Sequence, residues 1–189
     1  MAQTTLRPSD DGTTTGWTRV SASGTFASKV VDDPDSHDGD TSYVLSPNVS
    51  DGTMWVQLDD PPADFNPDGI TAISLKAAAK KVNVPNMAVD ASDLYLALDR
   101  ADESTTISTE SAVCNVTDTS NYELFTRSVT VTGSHNLSDW NGARLRLRYD
   151  HTQNQSADTT NQIRITAAEV IIDYTIDLPA LIAAPYRPT

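Results

Sequence analysis

Residues 30–47, VVDDPDSHDGDTSYVLSP, are the part of the chain densest in side chains able to do chemistry. Asp32, Asp33, Asp35, Asp38 and Asp40 stand with His37 inside nine residues, and the apolar run Tyr43-Val44-Leu45 follows at once. Carboxylates at this density are the ligand type of Ca²⁺, which takes six to eight oxygens. Asp32, Asp35, Asp38 and Asp40 are therefore a candidate calcium site. The spacing departs from the EF-hand loop, because Gly39 falls in the wrong place and no Glu occurs in the stretch. His37 alone makes no zinc site, since no second His or Cys stands at ligand spacing. A competing reading needs no ion. Pro34, Asp35 and Gly39 shape turns, and Asp and Ser side chains bond to nearby backbone. The stretch is then a solvated loop leading into a strand over Thr41–Leu45, and this is the reading the spacing favours.

Other patterns point away from catalysis. Asp59-Asp60, Asp99, Asp102-Glu103 and Asp150 lie at the ends of expected strands, where acids serve solubility; paired carboxylates are the glycosidase signal, but with 26 acids such pairs arise by chance. No Gly-x-Ser-x-Gly elbow and no phosphate loop is present. Cys114, the single cysteine, excludes an intrachain disulfide and reads as a small core residue. No enzyme is expected.

Binding has more support. Sugar-binding sandwiches stack pyranose rings on exposed aromatics, and Trp17, Trp55 and Trp140, with Tyr95 and Tyr149, are the candidates. If Met54, Val56 and Leu58 point inward, Trp55 points outward; the competing role for these rings is as core or interface anchors. Arg144, Arg146 and Arg148 alternate with Leu145 and Leu147, so three like charges share one strand face. They repel unless acids face them. Glu169 and Asp173 of the last strand are candidate partners for a charge ladder, and a docking face for an acidic neighbouring subunit is the alternative.

The elements that must position these residues are strands. Short runs with β-branched or aromatic residues and period-2 alternation recur, each closed by Gly, Pro, Asn or Asp. They are Trp17–Ser21, Thr41–Leu45, Met54–Leu58, Ile70–Ala78, Asp93–Asp99, Ser111–Val116, Tyr122–Val131, Ala143–Tyr149 and Ile163–Ile176. The Ala/Lys-rich stretch Leu75–Val82 is the one rival for a helix; it continues a strand pattern without a cap and reads as strand. Nine strands without a substantial helix predict an all-β antiparallel sandwich, jelly-roll-like. Residues 1–16 read as a polar N-terminal arm, 17–177 as the sandwich and 178–189 as a C-terminal arm. That last segment carries Leu178, Leu181, Ile182 and Tyr186 and is too short for a core of its own, so its apolar side chains either fold back over the sandwich or, the favoured reading, reach a neighbouring subunit.

Net charge is −13 and the sequence pI about 4.3, from 22 Asp and 4 Glu against 9 Arg and 4 Lys. A chain this acidic repels nucleic acid and anionic membrane surfaces. Molar salt shortens the Debye length to about 3 Å and screens the self-repulsion, so the composition resembles that of halophile proteins. No signal peptide is expected at the N-terminus, and no apolar run is long enough to span a membrane.

The order of motifs carries a resemblance over roughly residues 6–176. LRPSDDGTTTGWT comes first, then VDDPDSHDGDTSYV, then GITAISLKAAAKK and LYLALD, and finally YELFTRSVTVT, WNGARLRLRYD and IRITAAEVIIDYTI. This resembles small all-β virion structural proteins of tailed viruses of bacteria and archaea. The resemblance implies a jelly-roll-like protein on a capsid or tail surface, with the major capsid protein or other virion subunits as partners and self-association as an oligomer. Together with the acidic composition it implies a haloarchaeal tailed virus.

Overall fold

The computed structural model describes residues 1–20, 23–47, 50–82, 92–150 and 162–176. Eleven strands form: β1 (Ala2–Leu6), β2 (Pro8–Thr15), β3 (Thr18–Arg19), β4 (Val44–Leu45), β5 (Gly52–Leu58), β6 (Ile70–Lys81), β7 (Ser92–Asp99), β8 (Cys114–Val116), β9 (Glu123–Val129), β10 (Arg144–Asp150) and β11 (Ile163–Tyr174). One helical turn, α1 (Leu137–Trp140), and three short 3-10 turns complete the described elements. Sheet A runs β3-β4-β11-β6-β9, with β1 also on β11, and sheet B runs β2-β5-β10-β7-β8. Every named strand pair is antiparallel. Successive strands mostly change sheet, which gives the jelly-roll-like sandwich that alternation predicted.

All nine expected strands are present, and their ends have local causes. Thr41 closes a 3-10 turn, so β4 begins only at Val44. Of the stretch Leu75–Val82, all but Val82 extends the strand, with Ala77 and Ala79 inward and Lys76 and Lys80 on the outer face of sheet A. The run from Ser111 shortens to β8 because side chains replace the ladder: Leu96 N donates to Ser111 Oγ at 3.0 Å and Leu98 N to Ser108 Oγ at 2.9 Å.

The N-terminal segment differs from expectation. Residues 1–16 are not an arm but two strands, β1 along one edge of β11 and β2 along β5. Their polar Thr- and Asp-rich composition suits sheet edges, where one side meets water. Leu6 and Pro8 supply the buried positions, and Pro8 sits first in an edge strand, where its missing N–H is tolerated.

The core lies between the sheets. Met54, Val56, Leu58, Leu94, Leu96, Leu98, Leu145 and Leu147 face it from sheet B, and Ile73, Leu75, Val170 and Ile172 from sheet A. Each such side chain contributes roughly 1.5–3 kcal/mol relative to exposure. At one end Phe65 stacks edge-on to Trp140 and Tyr174, with centroids 5.3 and 5.0 Å apart. An Asn136/Asp139 capping box fixes the turn that delivers Trp140.

Candidate functional site

The Asp-rich stretch lies across the outer face of sheet A. Val31 and Asp32 each bridge to Ala167, and Ala168 N donates to Val30 O at 2.9 Å. A β-bulge between Ile165 and Ala167 leaves Thr166 as the extra residue. Its hydroxyl donates to Ser42 O at 2.6 Å and lies 2.9 Å from Gly39 O, bonding the loop to the bulge. The carboxylates meet cations of the strands beneath. Asp35 pairs with Lys76 at 2.8 Å, and Asp40 with Lys80 at 2.6 Å and Arg164 at 2.9 Å. Asp40 also accepts from the Tyr122 hydroxyl at 3.0 Å, and the Lys80 hydrogen bond holds its carboxyl below the usual carboxylate range.

The four proposed calcium ligands therefore do not converge. Asp32 accepts from Asp38 N, Asp38 Oδ1 lies 3.4 Å from the Thr166 hydroxyl, and Asp35 and Asp40 turn to different lysines. Among the described residues the acids whose oxygens do come together are Asp33, Asp35 and Glu169, within 4.8 Å of one another. Arg7 and Lys76 already supply positive charge there: Arg7 contacts Asp33 at 3.1 Å and Glu169 at 3.3 Å, and Lys76 contacts Glu169 at 3.4 Å. Glu169 is only 4% exposed, so those cations compensate a buried charge. The loop is an ionic clasp over sheet A.

Sheet B presents the other outer face. Its middle row is Trp55 on β5, Arg146 on β10 and Ala97 on β7. Gln57, Arg144 and Asp99 form the next row. Trp55 Nε1 donates to Asp99 Oδ2 at 2.8 Å. That bond joins strands on either side of β10, about 10 Å apart at normal strand spacing, so the indole lies across β10 between Arg144 and Arg146. Asp99 is 1% exposed although it faces outward. Burial raises its pKa, while the Trp55 hydrogen bond and Arg146, at 3.4 Å, oppose that shift.

The arginine row is compensated within the chain. Arg144 pairs with Glu103 at 3.2 Å, Arg146 with Asp99, and Arg148 with Glu110 at 2.8 Å and Asp150 at 3.1 Å. Arg148 also stacks over Tyr95 at 4.1 Å. Glu169 and Asp173 are not its partners, because β11 belongs to the other sheet. The arginines do not form a bare docking face for an acidic neighbour either, since each already holds a carboxylate. Glu103 reaches Arg144 from a left-handed backbone, φ 57°. Asp102 secures that turn by accepting from Ser104 N and Thr105 N, both at 2.9 Å; these bonds hold its pKa at about 2. Glu103 Oε1 also accepts from Thr13 N at 2.9 Å. A Cβ at Gly12 would lie 2.6 Å from that oxygen and 2.7 Å from Trp55 Cβ, so only glycine fits there.

Of the tryptophans, Trp17 and Trp140 are core residues, 5% and 0% exposed, and Trp55 alone is half-buried on an outer face. Tyr149 is buried and Tyr95 half-buried. Cys114 is buried, and burial pushes its thiol up to about 11, the opposite of an activated nucleophile. Leu178, Leu181, Ile182 and Tyr186 lie outside the described residues. Sequence reasoning missed Glu103 and Glu110 as arginine partners; both come from the irregular β7–β8 connection, which carries no periodic signal.

No protein-family model and no curated protein matches the chain. Several solved structures are similar to the chain at low identity and low TM-score. An arabinose-bound α-L-arabinofuranosidase is 13% identical with a TM-score of 0.44; the match covers 83% of this chain but only 23% of that one. A family 35 carbohydrate-binding module from Clostridium thermocellum is 7% identical, over 88% of this chain and 99% of the module, with a TM-score of 0.41. The Stig cyclase Fisc from Fischerella sp. TAU is 10% identical, over 85% and 86% of the two chains, with a TM-score of 0.43. The described chain is an all-β antiparallel sandwich.

Proposed function

We propose that this protein is a non-enzymatic structural subunit of a tailed-virus particle, a decoration or minor protein on the capsid surface. Tail or baseplate structure is the other placement within that class. The observation that carries the reading is what the motif residues do. Trp17 of GWT is buried in the core, and Asp33, Asp35 and Asp40 of VDDPDSHDGD are bonded to Arg7, Lys76, Lys80 and Arg164. The motifs that resemble virion proteins thus hold a sandwich together, as fold markers of a structural protein would. The acidic surface suits a particle exposed to concentrated salt and disfavours contact with nucleic acid or anionic membrane. Partners on this reading are the major capsid protein, other virion subunits and further copies of the chain, with Leu178, Leu181, Ile182 and Tyr186 as contact residues.

The test is a density map of purified particles of the virus that encodes the chain. The sandwich should occupy repeated positions on head or tail. Particles whose map and protein content both lack the chain would refute the proposal.

A further inference from the structure

β9 is an edge of sheet A, and we propose that it pairs with β9 of a second copy of this chain, antiparallel about a two-fold axis at Phe125. Its backbone is free to do so. Lys81 N donates to Asp118 O at 2.8 Å, so the odd-numbered residues of β6 bond towards β9. Their partners in the ladder are Glu123, Phe125, Arg127 and Val129. Leu124, Thr126 and Ser128 therefore turn their N–H and C=O groups away from β6. Among the described residues, the one bond to that backbone row runs from Arg127 Nη1 to Thr126 O, at 3.1 Å. An unpaired row of this kind is a template for another strand. Beside it the Leu124 side chain is 47% exposed.

The other edges are less suited. β3 and β8 are two and three residues long, β2 opens on Pro8 and breaks register twice, and β1 carries no charge to fix a register. β9 keeps an unbroken register with β6 over its seven residues. Its charges select the occupant. Glu103, Glu110 and Glu169 each hold a cation, whereas among the described residues Glu123 has none and Arg127 has no carboxylate. Both keep bonding capacity. Glu123 Oε2 accepts from Thr117 N and Asp118 N, while Oε1 has the 3.4 Å contact with the Thr117 hydroxyl alone. Arg127 spends three of its N–H groups, on Val113 O and Thr126 O, and has two more. An axis at Phe125 sets Glu123 opposite Arg127 of the second copy, twice, and Leu124 opposite Thr126. An axis at 123 or 127 would bring like charges together, and one at 124 or 126 would leave both charges unmatched. The edge is thus complementary to itself, as a closed two-fold dimer requires. Each copy carries −13, so the pair forms where salt screens the repulsion. The contact gives a surface to the self-association proposed above, but it is a property of the chain alone, separate from residues 178–189.

The experiment is sedimentation equilibrium of the purified full chain in molar KCl, with two sets of variants. The wild type should form a dimer. Thr126→Pro removes an N–H that β6 does not use, so circular dichroism should be unchanged while the dimer weakens at least tenfold. Cysteine pairing keeps the test decisive if that variant fails to fold. Paired residues across such a ladder stand about 5.5 Å apart between Cα atoms, within disulfide reach, and the native Cys114 is buried. An equimolar mixture of Leu124→Cys and Thr126→Cys should crosslink under mild oxidation, and neither variant should do so alone. A chain that stays monomeric overturns the inference, as do dimers indifferent to Thr126→Pro or crosslinks equal in the single variants and the mixture. Dimers that survive Thr126→Pro and vanish on deletion of residues 178–189 would assign the contact to that segment instead. A monomer would leave the placement in a particle untouched, because the density map decides that separately.

Discussion

Trp55 Nε1 and Asp99 Oδ2 meet at 2.8 Å across the intervening strand β10, with Arg146 Nη1 3.4 Å from the same carboxylate oxygen. The bond joins residues 44 apart in sequence and places an indole, a buried carboxylate and a guanidinium on one sheet face. It orients the ring and opposes the rise in the acid's pKa that burial causes.

Replacing Trp55 with Phe keeps an aromatic ring and removes the donor. Asp99, 1% exposed, then keeps only the Arg146 contact. Leaving a buried acceptor unsatisfied costs about 1–3 kcal/mol. Urea unfolding should show a loss of that size with an unchanged m-value. A loss below about 0.5 kcal/mol, the range of ordinary surface changes, would show that the bond contributes nothing to stability.

The raised pKa of Asp99 predicts a specific pH dependence. Burial makes the folded protein bind a proton at Asp99 more tightly than the unfolded chain does. Stability from this residue therefore rises as pH falls from its raised folded value towards about 3.9, the ordinary value of Asp. Asp40 and Glu110, held low by Lys80 and Arg148, act in the opposite sense: their contribution is present above the ordinary carboxylate value and is lost as pH falls below it. Unfolding free energies across mildly acid pH should thus slope less steeply downward with rising pH in Asp99→Asn than in the wild type. Identical slopes would remove Asp99 as the cause.

Mutations in the ionic clasp should separate by partner. Asp40→Ala strips a partner from Lys80, whose side chain is 9% exposed, and from Arg164. Asp40 itself is 55% exposed, so screening limits the loss to about 1–2 kcal/mol. Asp35→Ala leaves Lys76 with Glu169 and should cost about 0.5–1 kcal/mol. Asp38→Ala, whose carboxylate among the described residues has the 3.4 Å contact with Thr166 alone, should cost less than about 0.5 kcal/mol. Thermal melts of the three variants test the ranking. Excess EDTA should leave the wild-type midpoint unchanged; a drop restored by Ca²⁺ in the wild type but absent in Asp33→Asn would place an ion at Asp33, Asp35 and Glu169.

Salt should stabilise the fold. At a net charge of −13 the long-range repulsion outweighs what screening takes from the surface ion pairs. The melting temperature should climb between low salt and molar KCl. A flat or falling midpoint would dissociate the acidic composition from a halophilic habitat.

Deleting residues 178–189 should leave the sandwich folded, because among the described residues the last strand ends at Tyr174 and the core between the sheets is built from residues up to it. The melting midpoint should hold, while light scattering and co-sedimentation with particles should show reduced association. Unfolding of the truncated chain would assign the segment to the core, and normal assembly would move the contact elsewhere.

Alternation along a strand is a local property, and the sequence alone determined everything that depends on it. The inward leucines of β7, the Arg/Leu division of β10, the outward Trp55 and the all-β class follow from period-2 patterning within a few residues. The edge strands β1 and β2 were hidden because an edge needs few apolar positions, and Leu6 and Pro8 are nearly all that residues 1–16 offer. Which charge meets which was decided only by the tertiary structure. Asp40 and Arg164 are 124 residues apart, and their pairing requires the loop to cross β11 beside its bulge. That bulge also reverses the inward parity of β11, from Ile163 and Ile165 to Ala168, Val170 and Ile172. Glu169, a plausible mate for the arginines by parity alone, instead meets Lys76 and Arg7, because β10 and β11 lie in opposite sheets. Pairing across a sandwich depends on strand order, and strand order is a property of the whole chain's burial that no local window contains.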